Sequence, residues 1–254
     1  MSLRIRVRLI SITLAVVWAV VWAVVWFHHP DSIDWEWGLL SAFLVIVIGV
    51  GISNVFARRS LRLFRSALAI ADIPTARREH ANLADFWKRR GRETIKAFRI
   101  NILLLEEQYQ DALEELQALD RGKLPKNATP VVENQIAWCQ MNLGKPDKGM
   151  QIAQSVLPQL ESMGPDYGSS GHLVVGTAKF LLGKPNEAVP HLEETYLNSA
   201  HLPGMRVTAA FYLGECFSAL GKLEEARKAY RDAELALPNS KFAARASERL
   251  NIAR

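Results

Sequence analysis

Only two cysteines, Cys139 and Cys216, occur in the 254 residues, too few for a disulfide framework or a thiolate metal cage. No CxxC or HExxH spacing is present, so structural zinc and zincin-type hydrolysis are excluded as readings. Histidine is scarce as well. His172 and His191, with Glu193 and Glu194 nearby, read as packed or surface residues, and His28 and His29 beside Asp31 as interfacial polar groups. The run Gly168 to Gly171, GSSG, has the composition of a phosphate loop but lacks its lysine and a preceding strand, and reads as a turn with a serine cap. Charge is missing in two places: from Leu9 to Phe27 and from Trp37 to Ala57 no Asp, Glu, Lys or Arg occurs. Intramembrane ionisable groups mark ion and substrate paths, so their absence argues against a channel or transporter. No catalytic residue, metal site or cofactor is predicted.

What fills those uncharged stretches is apolar. At 1.5 Å per residue they make helices of about 28 to 32 Å, enough to cross a hydrocarbon layer of roughly 30 Å. Two membrane spans are therefore predicted, at 9–27 and 37–57. A cleaved signal peptide is the competing reading of the first, with Arg4, Arg6 and Arg8 as its flank, but no small-x-small cleavage site follows. Residues 28–36 carry Asp31, Asp34 and Glu36 and no Lys or Arg, while Arg58, Arg59, Arg62 and Arg65 follow the second stretch. The positive-inside rule then places the basic N-terminus, 1–8, and everything after residue 57 in the cytoplasm, with a short outer loop at 28–36.

The net charge of +5 is unevenly spread. Residues 57 to 100 hold 12 Lys or Arg against 4 Asp or Glu, and residues 101 to 254 hold 16 against 19. Basic residues directly after a span suit anionic lipid headgroups, which nominates Arg58, Arg59, Arg62 and Arg65; the slightly acidic remainder offers nucleic acid no footprint.

The first stretch repeats a tetrad, LAVVWAVVWAVVWF. On a helix Ala15, Ala19 and Ala23 stay within about 80° of one another, and Gly38, Ala42, Gly49 and Ser53 of the second stretch within about 60°. Small residues let helices approach in lipid, so these two stripes are the predicted packing surface of a helical hairpin, with homo-oligomer contact through the spans as a further expectation. Trp26, Trp35 and Trp37 fit an outer interfacial belt. Trp18 and Trp22 lie deeper, where either lipid or a protein neighbour can cover them.

Beyond the spans the chain repeats itself. LGKPDKGM, LGKPNEAV and LGKLEEAR begin at Leu143, Leu182 and Leu220, and degenerate copies centre on Glu107 and Ala71. The turn positions 71, 107, 144, 183 and 221 are 36, 37, 39 and 38 residues apart, and a small residue stands five positions after each. Such a period signals stacked helix pairs. Ala137, Gly176 and Gly214, seven positions before the last three turns, are read as sites of close helix approach, because an exposed helical glycine costs about 1 kcal/mol against alanine. Cys139 and Cys216 occupy equivalent repeat positions and read as small buried apolar residues.

These residues resemble the tetratricopeptide repeat family, whose unit is an antiparallel helix pair. The copy from Val207 to Ser240 carries Leu213, Gly214, Phe217, Gly221, Ala226, Tyr230, Ala233 and Pro238 at signature positions. The resemblance implies an all-α solenoid: a degenerate basic pair at 58–92, repeats over 93–240 and a capping helix at 241–254. It also implies a groove lined by the first helix of each pair. By register that groove takes Asn101, Leu104, Asn134, Trp138, Met141, Leu173, Thr177, Phe180, Phe211 and Glu215. The carboxylate clamp of chaperone-binding members is not matched, since its positions hold Ala97, Asn134, Gln135 and Val174, with Asn101 alone agreeing.

Two spans followed by cytoplasmic repeats are similar in architecture to bacterial inner-membrane tetratricopeptide proteins, including those of haem-biosynthesis operons, a likeness that assigns no haem chemistry. The expected function is a non-catalytic, membrane-anchored adaptor for a protein or peptide partner. The alternative is an accessory subunit of a membrane enzyme or export complex that assembles through its spans.

Overall fold

The computed structural model describes residues 13, 17, 35–86, 92–125 and 127–252; within its first helix the side chains of 35–46, 48–50, 52 and 53 lie outside that description. The predicted span 9–27, with Ala15, Ala19 and Ala23, falls outside the described residues except at 13 and 17, and so do the side chains of Gly38, Ala42, Gly49 and Ser53. Among the described residues no helix is long and apolar enough to cross a membrane. Those residues contain eleven α-helices and no strand.

In chain order the helices are α1 (Trp35–Ala69), α2 (Ile73–Phe86), α3 (Arg92–Leu105), α4 (Tyr109–Gln117), α5 (Ala128–Asn142), α6 (Pro146–Ser162), α7 (Pro165–Leu181), α8 (Pro185–Asn198), α9 (Pro203–Ala219), α10 (Leu223–Ala236) and α11 (Lys241–Ile252). Four begin with proline at the first positions, where its fixed φ suits the helix and its missing N–H is not needed.

Every predicted turn position closes a helix in the same way. Gly144, Gly183 and Gly221 have φ of +78°, +73° and +73°, and Ala71 and Glu107 adopt the same left-handed conformation at +54° and +62°. After each of them the next N–H reaches back five residues, as in Asp72 N to Ala67 O at 2.8 Å and Gln108 N to Leu103 O at 2.9 Å. Lys145, Lys184 and Lys222 donate likewise to Gln140, Lys179 and Phe217, each at 2.9 Å. This is the Schellman closure, which satisfies the last carbonyls of a helix. In the Leu-Gly-Lys-Pro turns, glycine supplies the left-handed residue and proline starts the next helix.

The small residues five positions on, Ala76, Ala112, Gly149, Ala188 and Ala226, are all buried. A Cβ on Gly214 would stand 2.4 Å from Cε1 of Tyr230, one on Gly176 2.8 Å from Cγ of Leu192, and one on Gly149 2.8 Å from the Ala137 carbonyl. The degenerate copies put Phe64 and Ile100 at the place of Gly214, and both are fully buried.

The reading of Gly168 to Gly171 as a turn with a serine cap is corrected. Helix α7 starts at Pro165 and includes GSSG, with Gly168, Ser169 and Gly171 buried. A Cβ on Gly171 would meet Leu157 at 2.7 Å, so these small residues serve helix contact and not a turn.

The chain divides into two compact units, Met1–Arg65 with Pro74–Ile95, and Ser66–Ile73 with Lys96–Arg254. In the first, Phe64 lies against the His80 ring at 6.4 Å, and His80 Nε2 is 3.0 Å from the Ile95 carbonyl. Buried Glu79 accepts from Arg78 and Asn82; burial works to raise its pKa, and bonds from Asn82, Ser60 and Arg78 outweigh it and hold the carboxyl below its usual value. In the second unit successive helices pack on one another, and α5, α7, α9 and α11 also touch in sequence. Its core is three clusters shared along the stack, one centred on Ile100, Leu116 and Ile136, one on Ala137, Ala153 and Val175, and one running from Leu173 to Ala246.

Candidate functional site

The first helices of the pairs in the second unit, α3, α5, α7 and α9, line a cavity of about 400 Å³ together with the start of α11. That is at the lower end of the range for ligand pockets, roughly 300–1,000 Å³. Its wall is apolar with interspersed amides. Leu104 and Trp138 are half-buried, Leu173 is buried, and Val174, Met205 and Phe242 join them.

The amides form a chain across helices. Asn101 on α3 donates to its own helix at Ala97 O, 3.0 Å, and accepts at 3.1 Å from Gln135 on α5. Asn134, the residue before it on α5, donates to the Ser170 carbonyl on α7 at 3.2 Å, and its Oδ1 is buried with no hydrogen-bond partner. Tyr109 lines the cavity at the start of α4; burial pushes its phenol well above the usual range, with the Glu107 carboxylate adding to the rise.

Of the ten groove residues proposed by register, the structure brings Asn101, Leu104, Asn134, Trp138 and Leu173 together on this cavity. The other five lie elsewhere. Met141 is buried among α5, α6 and α7, and Thr177 is fully buried with its hydroxyl unpartnered. Phe180 and Phe211 belong to an aromatic cluster, Phe180 with Tyr212 at 5.9 Å and Phe211 with Tyr212 at 5.3 Å and Phe242 at 5.5 Å. Glu215 accepts from Tyr230 Oη and Arg249 Nε, both at 2.7 Å.

Register reasoning missed Gly204, Met205 and Thr208, one to two turns before Phe211 on α9, and Lys241 and Phe242 on α11. The signal for the latter pair existed in the amphipathic pattern of α11, which was assigned only to capping.

The other side-chain clusters singled out by sequence do not line this cavity. His172 and His191 meet through their Nδ1 atoms at 2.9 Å, and His172 Nε2 lies 3.1 Å from Glu161; no group of metal-ligating side chains occurs among the described residues. Cys139 and Cys216 are buried and free, and burial pushes each thiol up to about 12. Arg58, Arg59, Arg62 and Arg65 are all exposed on α1.

Helix pairs closed by left-handed turns and stacked around a shared cavity define the second unit as a helical-repeat α-solenoid. Residues 208–240 match the family model of the tetratricopeptide repeat. Among solved structures the chain is similar to PlcR of Bacillus thuringiensis in complex with the peptide PapR7 and DNA, with a TM-score of 0.59, 16% identity, and coverage of 79% of this chain and 74% of that one. At that identity the likeness is one of fold. No curated protein matches the chain.

Proposed function

We propose that this protein is a non-catalytic, membrane-anchored adaptor whose helical repeats hold an apolar segment of a protein or peptide partner at the cytoplasmic face. The observation that carries this is the cavity formed jointly by α3, α5, α7 and α9, apolar in its walls and crossed by the Asn101–Gln135 and Asn134–Ser170 amides. Such a surface gives apolar side chains a place to bury and backbone amides a partner to pair with.

The PlcR structure contains a peptide and DNA. Of these two classes, the neutral groove and the acidic balance of residues 101 to 254 favour the peptide. Anchoring rests on the two uncharged stretches, with Arg58, Arg59, Arg62 and Arg65 supplying contact to anionic headgroups.

A photoreactive residue at Trp138 in the full chain, in its native membrane, tests the reading. One dominant protein should crosslink there and be lost when unlabelled chain is present in excess. Crosslinks only from Trp22, with none at 138, would replace the adaptor by a subunit that assembles through its spans.

A further inference from the structure

Helix α11 has two unlike sides. One carries Ala243 and Ala246, buried against α9 and α10, with Phe242 against the Phe211 and Tyr212 rings at 5.5 and 5.9 Å. The other presents Lys241 and Arg245, one helical turn apart, to the turn between α3 and α4, 138 residues away in sequence from Arg245. Arg245 Nη2 donates to both oxygens of Glu107, at 2.8 and 2.9 Å. Lys241 Nζ lies 3.3 Å from the same carboxylate and donates to the Glu106 carbonyl at 3.0 Å. The end of the repeat array is thereby tied to its second turn beside the cavity, which Glu107, Lys241 and Phe242 all line.

Glu107 itself is out of place as a turn residue. It holds φ +62° where three other turns use glycine, a conformation that disfavours any residue with a Cβ. Nothing in the turn requires glutamate; its ion pairs do.

We propose that Glu107, Arg245 and Lys241 form a latch that closes the groove, and that admission of a partner segment longer than a few side chains proceeds by parting α11 from the second turn. The physical reason is an asymmetry of strength. Arg245 and Lys241 are 43% and 51% exposed, and ion pairs of that kind are weak and screened by salt, whereas the apolar side of α11 is neither. The array therefore opens along the charged seam while α11 stays on α9 and α10. This inference rests on the groove being the binding site.

Electron–electron resonance distances in the full chain test it, with spin labels at Gln108→Cys and Glu248→Cys, both exposed; the native cysteines are buried and escape labelling. A single short distance is expected at low ionic strength. Glu107→Gln, Arg245→Gln, or about 1 M salt, where the screening length is about 3 Å, should add a population longer by about one helical pitch, ~5 Å. The exchanged pair Glu107→Arg with Arg245→Glu should restore the short distance.

Unchanged distances in both single variants, or no recovery in the exchanged pair, would overturn the latch. Crosslinking at Trp138 should rise several-fold in Glu107→Gln and vanish when Glu107→Cys and Arg245→Cys are joined by a short bis-maleimide, which spans the gap that a guanidinium and a carboxylate fill and a disulfide does not; equal capture in all three overturns the gating role. Absence of capture in every form would instead count against the groove reading, with the distances still judging the latch.

Discussion

Gly214 is the residue on which the fifth repeat turns. Its missing side chain is filled by the Tyr230 ring, so Gly214→Ala must displace a phenol that also donates to Glu215 at 2.7 Å. Overpacking of this kind costs about 1–3 kcal/mol, and urea melts should show the midpoint lowered accordingly. Ala71→Gly should act the other way. Ala71 bears a Cβ at φ +54°, and relief of that strain, about 1–2 kcal/mol, less the entropy glycine adds to the unfolded chain, about 0.5–1 kcal/mol, leaves a gain of up to about 1.5 kcal/mol. The cysteines offer a residue-level test of the packing. Burial raises both thiols from 9.0 to about 12, so iodoacetamide at neutral pH should modify neither until the chain unfolds. A raised folded pKa also means that the unfolded chain loses its protons first. The stability linked to these thiols is complete below pH 9.0 and is lost as pH rises toward about 12, which a urea midpoint measured against pH would follow.

At the scale of elements, α6, α7 and α8 are joined by one polar chain, Glu161 to His172 to His191. A 2.9 Å contact between two imidazole nitrogens needs one of them unprotonated. Burial lowers the His191 pKa, and the Lys179 and His172 charges push the same way against Glu161. The sign follows: with the folded pKa below the unfolded one, stability is present above pH 6.5 and falls as the solution is acidified past it. Thermal melts between about pH 5 and 8 should show this decline in the native chain and a flatter profile in His191→Gln. The turns between elements were legible in the sequence, degenerate ones included, because a left-handed residue at fixed spacing is a local demand that Gly-Lys-Pro meets visibly and that Ala71 and Glu107 inherit by register. The start of α7 was not. Gly168 and Gly171 look like turn residues in sequence, and only the proximity of Leu157 and Leu160 shows that they are there for close packing inside a helix.

For the molecule as a whole, the anchoring proposal has a direct consequence. The full chain should resist alkaline carbonate extraction from membranes, and a variant lacking residues 1–57 should move to the soluble fraction. In that variant, replacement of Arg58, Arg59, Arg62 and Arg65 by Gln should weaken binding to anionic vesicles by about 1 kcal/mol per arginine, read by cosedimentation; equal binding would exclude them as headgroup contacts. The sequence by itself determined the helical repeats, their period and the places where helices press together, since these depend on residues near one another in the chain. Tertiary structure decided which groove positions converge. Asn101, Leu104, Asn134, Trp138 and Leu173 share a cavity while Phe180, Phe211 and Glu215 serve the core and the cap, because the packing of each helix pair on the next sets which side chains converge and no local pattern encodes it. The same stacking brings Arg245 to Glu107 across 138 residues, a pairing that no neighbouring stretch of sequence can specify.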